Sequence, residues 1–321
     1  MRLPAKFPVI CGPTAGGKTA AAVAVAHLLR DRHGVAAEVV TADAFQVYRG
    51  MDIGTAKPTP EERGGVAHHL IDLVEPTDRF TLDQWLCAAE GAIGALRARG
   101  VVPIVVGGTH LYIKALMEGM FQGPGADAAL RAELEAMDPG ERRAELERVD
   151  PAAAARMHPN DVRRTVRALE VYRLTGRAIS EHQSQWDRVG GGRPDALLVS
   201  LQWPTEALNR RINARVKQMM ERGLLEEVRR IEAGTGFGPQ AGEALGYKQF
   251  RLLLSRHPEP GPSLLDETVE RIKVETRRLG KNQRTWLKRL SLLQGSVAVD
   301  APAKTPEEIA QTIVNTVLAP S

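Results

Sequence analysis

Residues 12–19 read Gly12-Pro13-Thr14-Ala15-Gly16-Gly17-Lys18-Thr19 and match the full G-x-x-x-x-G-K-[ST] pattern of a phosphate-binding loop. The chemistry follows from the residue types. Glycines let successive backbone N–H groups converge on one anion. The helix that follows adds the positive end of its dipole. Lys18 brings a full charge and Thr19 a hydroxyl suited to Mg2+. A di- or triphosphate held by Gly12, Thr14, Ala15, Gly16, Gly17, Lys18 and Thr19, with Thr19 at the metal, is therefore expected. The plain alternative is a glycine turn that binds nothing, and the strand before the loop and helix after it argue against that.

Two other segments carry chemistry. Asp43 closes an apolar strand and opens a loop rich in functional side chains, residues 43–57. It could hold metal, act as a base toward a second substrate, or serve as a turn residue. Gly107-Gly108-Thr109 closes another strand and offers N–H and O–H donors to a pyrophosphate, or is only a turn. Hydrolytic P-loop proteins place a metal-holding aspartate after a strand. Here the best apolar strand ends in Gly-Gly-Thr instead, so an ATPase or kinase reading is incomplete.

The elements that must position these groups are legible as alternation. Residues 7–11, 36–42 and 101–106 are short apolar runs, and 20–30 and the segment after Thr81 are helical; Gln84 completes a capping box with Thr81. Strands alternating with helices predict an α/β fold, a P-loop NTPase-like parallel sheet flanked by helices. The texture changes near Gly123. Residues 124–194 read as a mostly helical insertion, with Gly190-Gly191-Gly192 as an exit hinge, and residues 1–123 and 195–321 as the core. In the last third, residues 196–201 form a strand, Thr205 caps a helix running to about residue 222, and a long helix covers about 266–290. Its inward stripe is expected to be Val269, Ile272, Thr276, Leu279, Gln283, Trp286 and Leu290, with Thr276 and Gln283 interrupting it. A short strand at 297–299 and a helix starting at Thr305-Pro306-Glu307-Glu308 complete the chain.

Composition excludes several classes. The 321 residues are 43% apolar and 26% charged, which excludes a disordered chain or a rod. There is no apolar run long enough to cross a membrane, so no membrane partner is expected. The start of the chain lacks a signal-peptide core and only two cysteines are present, Cys11 and Cys87, so a cytoplasmic setting is expected. The net charge of +4 permits nucleic-acid binding without establishing it.

The ordered segments GPTAGGKT, DAFQVYRGMDIGTAKPT, HHLID, PIVVGGTHLYIKAL, HPNDVRRTVRALEVYRLTG, ALGYKQ and TRRLGKNQRTWLKR resemble the tRNA dimethylallyltransferase (tRNA isopentenyltransferase) family. The resemblance implies transfer of a dimethylallyl group from dimethylallyl diphosphate to N6 of adenosine 37 of tRNA, giving N6-isopentenyladenosine and diphosphate, with Mg2+ as cofactor. The loop would hold the diphosphate of an isoprenoid, and the missing strand-end aspartate is then no defect. Asp43 would be the general base and Thr109 would sit at the reaction centre. The N6 amine is a poor nucleophile because its lone pair is delocalised, and a base that takes its proton raises its reactivity. Arg215 would contact the diphosphate, with Arg210 and Arg211 close by. Asp43, Ala44, Phe45, Gln46 and Thr109 would meet the tRNA; Phe45 departs from the commoner Met or Leu.

The basic surfaces have two readings each. Arg163, Arg164 and Arg167 are a solvated face by charge alone. By the resemblance, they and the intervening Thr165 and Val166 belong to an insertion that grips the anticodon arm. Arg131 joins them by position, Gly246, Tyr247 and Lys248 by the resemblance, and Arg277 and Lys281 by their place on the long basic helix. His68 and His69 lack partners at metal spacing and are expected to be structural. A monomer is expected. The rivals are a small-molecule P-loop kinase, an adenylate prenyltransferase, and a non-catalytic RNA-binding switch.

Overall fold

The computed structural model describes residues 3–120, 123–183, 193–293 and 295–319. The chain divides into two compact units, residues 1–117 with 192–321, and residues 118–191. The expected hinge at 190–192 lies outside the described residues.

The first unit alternates β1 (Phe7–Cys11), α1 (Lys18–His33), β2 (Ala37–Ala42), α2 (Pro60–Arg63), β3 (His68–His69), α3 (Leu82–Ala98), β4 (Val102–Gly107) and α4 (His110–Glu118). The helices α5 (Ala128–Ala136), α6 (Pro139–Val149), α7 (Pro151–Arg156), α8 (Val162–Thr175) and α9 (Ile179–Gln183) make up the second unit. The chain then returns to the first with β5 (Ala196–Gln202), α10 (Thr205–Glu221), α11 (Leu224–Ala233), α12 (Tyr247–Arg256), α13 (Pro262–Leu290), β6 (Val297–Asp300) and α14 (Pro306–Leu318). The sheet order is β3-β2-β4-β1-β5-β6, all parallel. β1 and β4 are buried at every position, as a parallel sheet covered on both faces requires. The core packs Val9, Ile10, Val40 and Val105 against Val25 and Leu29 of α1 and Trp85 and Ile93 of α3.

One glycine sets the geometry of the site. A Cβ on Gly107 would lie 1.9 Å from the Ala42 carbonyl oxygen. The ends of β2 and β4 close on each other only because that atom is absent. This brings Asp43, one residue beyond β2, and Thr109, two beyond β4, to one sheet edge, where parallel α/β sheets bind ligands.

The capping boxes at Thr81 and Thr305 form as expected. Thr205 is not a cap: it is the first residue of α10, Pro204 precedes it, and its hydroxyl accepts a hydrogen bond from Arg284. The long helix starts earlier than expected, with Pro262 at its first turn. Its buried positions are Ile272, Gly280, Gln283, Leu287 and Leu290, whereas Leu279 and Trp286 are exposed. The cause is packing. Ile212 and Leu208 of α10 lie 3.1 and 3.4 Å from where a Cβ of Gly280 would be, so α10 seats on the glycine and turns that face inward.

The second unit has its own core of Leu134, Leu146, Val166, Leu169 and Ile179. Asp127, Asp138, Asp150 and Asp161 cap its helices through side-chain hydrogen bonds. No strand occurs among its described residues.

Candidate active site

The phosphate loop turns through left-handed conformations at Ala15 and Gly17, with φ of 59° and 78°, alternating handedness as an anion nest does. Three side chains from later in the chain hold it from behind. Gln283 accepts the Thr14 N–H at 2.7 Å. Trp203 donates its indole N–H to the Gly16 carbonyl at 3.1 Å. Arg211 donates to the Ala15 carbonyl at 2.7 Å and stacks 4.7 Å over the Trp203 ring. The Gly16 N–H closes a turn onto Pro13 O. Thr14 and Gly16, expected to present N–H groups to phosphate, therefore spend them within the protein. The Ala15 N–H and the first-turn N–H groups of α1, at Gly17, Lys18 and Thr19, have no such partner among the described residues and remain as donors. The Lys18 ammonium rests on Pro13 O at 2.8 Å. The Thr19 hydroxyl, half-buried, makes no hydrogen bond among the described residues.

Asp43 and Thr109 are joined through the backbone between them. The Thr109 N–H reaches Ala42 O, and the Thr109 hydroxyl oxygen accepts the Ala44 N–H at 3.0 Å, which leaves its own proton to donate elsewhere. Asp43 accepts the N–H groups of Phe45 and Gln46, at 2.9 and 3.3 Å, through Oδ1 alone. The aspartate is thus a turn residue through one oxygen, while Oδ2 has no hydrogen bond among the described residues. Gln46 turns its amide inward to the carbonyls of Thr55 and Ala56, both at 3.2 Å.

Charges converge on Lys18. Burial, and then the Arg215 guanidinium, push its ammonium down to about 8, partly opposed by the Asp43 carboxylate. Arg215 is itself pushed down by burial and by Arg211. His110 is driven down to about 4 by burial and by Lys18, and its buried Nε2 has no hydrogen bond. Tyr112 is pushed up by burial and by the Asp43 charge. Lys18 is therefore the node felt by Arg215, Asp43 and His110 in one patch. Of the three arginines on α10, Arg210 is exposed, Arg211 is committed to Ala15 O, and Arg215 is half-buried with no hydrogen bond among the described residues.

The loop after Asp43 is braced from below. Glu227, almost wholly buried, accepts the N–H groups of Asp52, Ile53 and Gly54. Tyr247 donates its hydroxyl to Glu227 at 2.5 Å and accepts the Gly54 N–H at 3.1 Å. The buried Lys57 binds Tyr48 O, Asp52 and Asp72.

The remaining expected RNA contacts divide. Arg163 and Arg164 are exposed; Arg164 has a 3.7 Å ion pair with Asp161. Lys281 is exposed, and Arg277 holds Asn213 at 2.7 Å. Ala44 and Phe45 are half-buried beside Asp43. Others are buried or held by partners within the protein. Arg131 and Arg167 both bind the fully buried Glu170, at 2.8 and 2.5 Å, because two cations are what make that buried carboxylate tolerable. Thr165 and Val166 are in the helical core. Gly246 is buried, and Tyr247 is fully so and committed to Glu227; Lys248 is exposed and paired with Glu243. His68 and His69 form β3, where His69 meets Glu38 at 2.6 Å. Among the described residues no three His, Cys, Asp or Glu side chains gather as a metal site. The Thr19 hydroxyl is a hard oxygen donor that suits Mg2+, which is commonly bound through one or two protein oxygens and substrate phosphates.

Sequence reasoning missed Gln283, Trp203, Glu227 and Lys57 as site supports. Only Gln283 left a signal, as a polar interruption at an inward helix position.

The chain matches the IPP transferase family over residues 46–290 and the isopentenyl transferase family over residues 5–75. A tRNA dimethylallyltransferase of Anaeromyxobacter dehalogenans is 42% identical over 316 residues, 96% of this chain and 99% of that one. Among solved structures, the full-length tRNA isopentenylpyrophosphate transferase of Bacillus halodurans superposes with a TM-score of 0.68 at 34% identity, covering 97% of this chain and 96% of the other. A eukaryotic dimethylallyltransferase solved acting on tRNA gives a TM-score of 0.79 at 28% identity, over 96% of this chain and 77% of the other.

Proposed function

The chain belongs to the IPP transferase family, and from that premise we propose that it transfers a dimethylallyl group from dimethylallyl diphosphate to the N6 amine of adenosine 37 in the anticodon loop of tRNA. The observation that carries the mechanism is the pairing of an anion loop with a half-free carboxylate. Asp43 keeps Oδ2 uncommitted at the same sheet edge as Lys18, close enough that its charge is felt there.

As the N6 nitrogen attacks C1 of the prenyl group and the C1–O bond breaks, Asp43 Oδ2 accepts the amine proton. The leaving diphosphate gathers charge, which the N–H groups of Gly17, Lys18 and Thr19, the Lys18 ammonium and the Arg215 guanidinium stabilise. The Thr109 hydroxyl, with its oxygen anchored by Ala44, points its proton at the reacting group or the diphosphate. The Thr19 hydroxyl would hold Mg2+, which would supply further neutralisation of the diphosphate charge. The target base must leave its stack, at a cost of a few kcal/mol that is smallest in a single-stranded loop. Arg163 and Arg164 on α8, and Lys281 on α13, are exposed cations on which the RNA backbone would rest. Among the described residues no helix is long and apolar enough to cross a membrane.

The test supplies labelled dimethylallyl diphosphate and tRNA in one reaction and labelled ATP in another. Label is expected in tRNA. Asp43→Asn should lower the rate by about 10²–10⁴-fold while pyrophosphate affinity changes little. Phosphoryl transfer from ATP with no label in tRNA refutes the proposal.

A further inference from the structure

We propose that Gln283 is a positioning residue that couples RNA binding on α13 to the alignment of the phosphate loop with the Thr109 turn. The inference rests on the proposed RNA-modifying function. Gln283 is 7% exposed, so it is not placed to touch RNA itself. Its amide spans two loops from distant parts of the chain. Oε1 accepts the Thr14 N–H at 2.7 Å and Nε2 donates to Gly108 O at 3.0 Å. Only a neutral amide supplies one acceptor and one donor at that separation. The first loop carries Lys18, and the second carries Thr109.

The clasp is tight. A Cβ on Gly108 would lie 3.0 Å from Gln283 Nε2 and 3.4 Å from Lys18 Nζ, so the amide, the turn and the ammonium occupy one small volume. The same helix carries exposed cations without ion pairs among the described residues, Arg278, Lys281 and Lys288, within five residues of Gln283 on either side. Two others beside Gln283 are tied to the scaffold, Arg277 to Asn213 and Arg284 to Thr205. An RNA backbone held by α13 therefore fixes the element that clasps both loops. By linkage, whatever RNA gains from an ordered phosphate loop, the diphosphate gains equally from bound RNA.

The experiment measures the affinity of the full chain for inorganic pyrophosphate with Mg2+, by calorimetry, with and without a saturating anticodon stem-loop RNA. In the parent, RNA should tighten pyrophosphate about fivefold or more. Gln283→Met fills the same space without the two hydrogen bonds, and should bring that factor to about one and lower kcat about tenfold, with RNA affinity in the absence of pyrophosphate unchanged within twofold. Gln283→Glu keeps the acceptor for Thr14 but opposes the Gly108 carbonyl, and should lose the same factor; it serves if the Met variant does not fold. A parent that modifies tRNA yet shows no factor overturns the coupling. So does a variant that merely melts earlier with the factor intact. A parent that places no label in tRNA refutes the proposed function instead, which separates the two failures.

Discussion

Tyr247→Phe separates a supporting residue from an RNA contact. The phenol is fully buried, donates to Glu227 at 2.5 Å and accepts the Gly54 N–H at 3.1 Å. Burial and the Glu227 carboxylate push its ionisation far above the usual tyrosine range, so it remains a donor at any working pH. Losing a hydrogen bond to a charged group costs about 1.5–3 kcal/mol. The lower part of that range applies, because Glu227 retains the backbone N–H groups of Asp52 and Ile53, and the Gly54 N–H retains Glu227 at 3.3 Å. A loss of about 2 kcal/mol in a unit of this size corresponds to a fall in Tm of about 4–8 °C. Thermal melting followed by circular dichroism reads the stability, and fluorescence anisotropy with an anticodon stem-loop reads the RNA affinity, expected to stay within twofold of the parent. Unchanged melting with tenfold weaker RNA binding would refute the structural role and return Tyr247 to the RNA surface.

The Lys18 ammonium, held down to about 8 by burial and by Arg215, loses its proton in the empty site as pH rises through that value. A bound diphosphate favours the charged form, so pyrophosphate affinity by calorimetry should be flat below about pH 8 and fall toward tenfold per unit above it. Burial alone would raise Glu170, but Arg131 and Arg167 outweigh it and hold the carboxyl low; its stabilising effect is therefore present above the ordinary glutamate range and lost as pH falls through its folded value. Glu170→Gln leaves both half-exposed arginines short of a charge partner and should cost about 1.5–3 kcal/mol in chemical denaturation, with pyrophosphate affinity unaffected. Lys281→Ala should weaken RNA binding across sequences and reduce the slope of log K against log salt by about 0.7–0.9, measured by anisotropy over a salt series.

What could be read from the sequence is what local pattern determines. Uninterrupted apolar runs made β1, β4 and β5 visible, and Thr81 and Thr305 announced their helices because a capping box lies within four residues. The proximity of Asp43 and Thr109 was inferable only as far as both end parallel strands; their actual link depends on Gly107 letting β4 press against Ala42, a contact between segments far apart in sequence. The same kind of contact accounts for the differences. Seating α10 on Gly280 rotated α13 so that Trp286 faces outward, although its spacing fits a buried stripe. Glu170 holds Arg131 and Arg167 in ion pairs, a partner that three arginines near a helix start do not reveal.

The phosphate loop makes the distinction sharpest. Its motif specifies the class of ligand, because backbone N–H groups, a helix end and a lysine can do little else together. It does not specify which N–H groups remain for that ligand, since Thr14 gives its own to a side chain 269 positions later. A glutamine at an inward position of an amphipathic helix has no reason to be there unless something buried needs both a donor and an acceptor. The polar interruption in the stripe was therefore the one local trace of this long-range arrangement, and it marks the point where the helix proposed to hold RNA meets the loop proposed to hold the diphosphate.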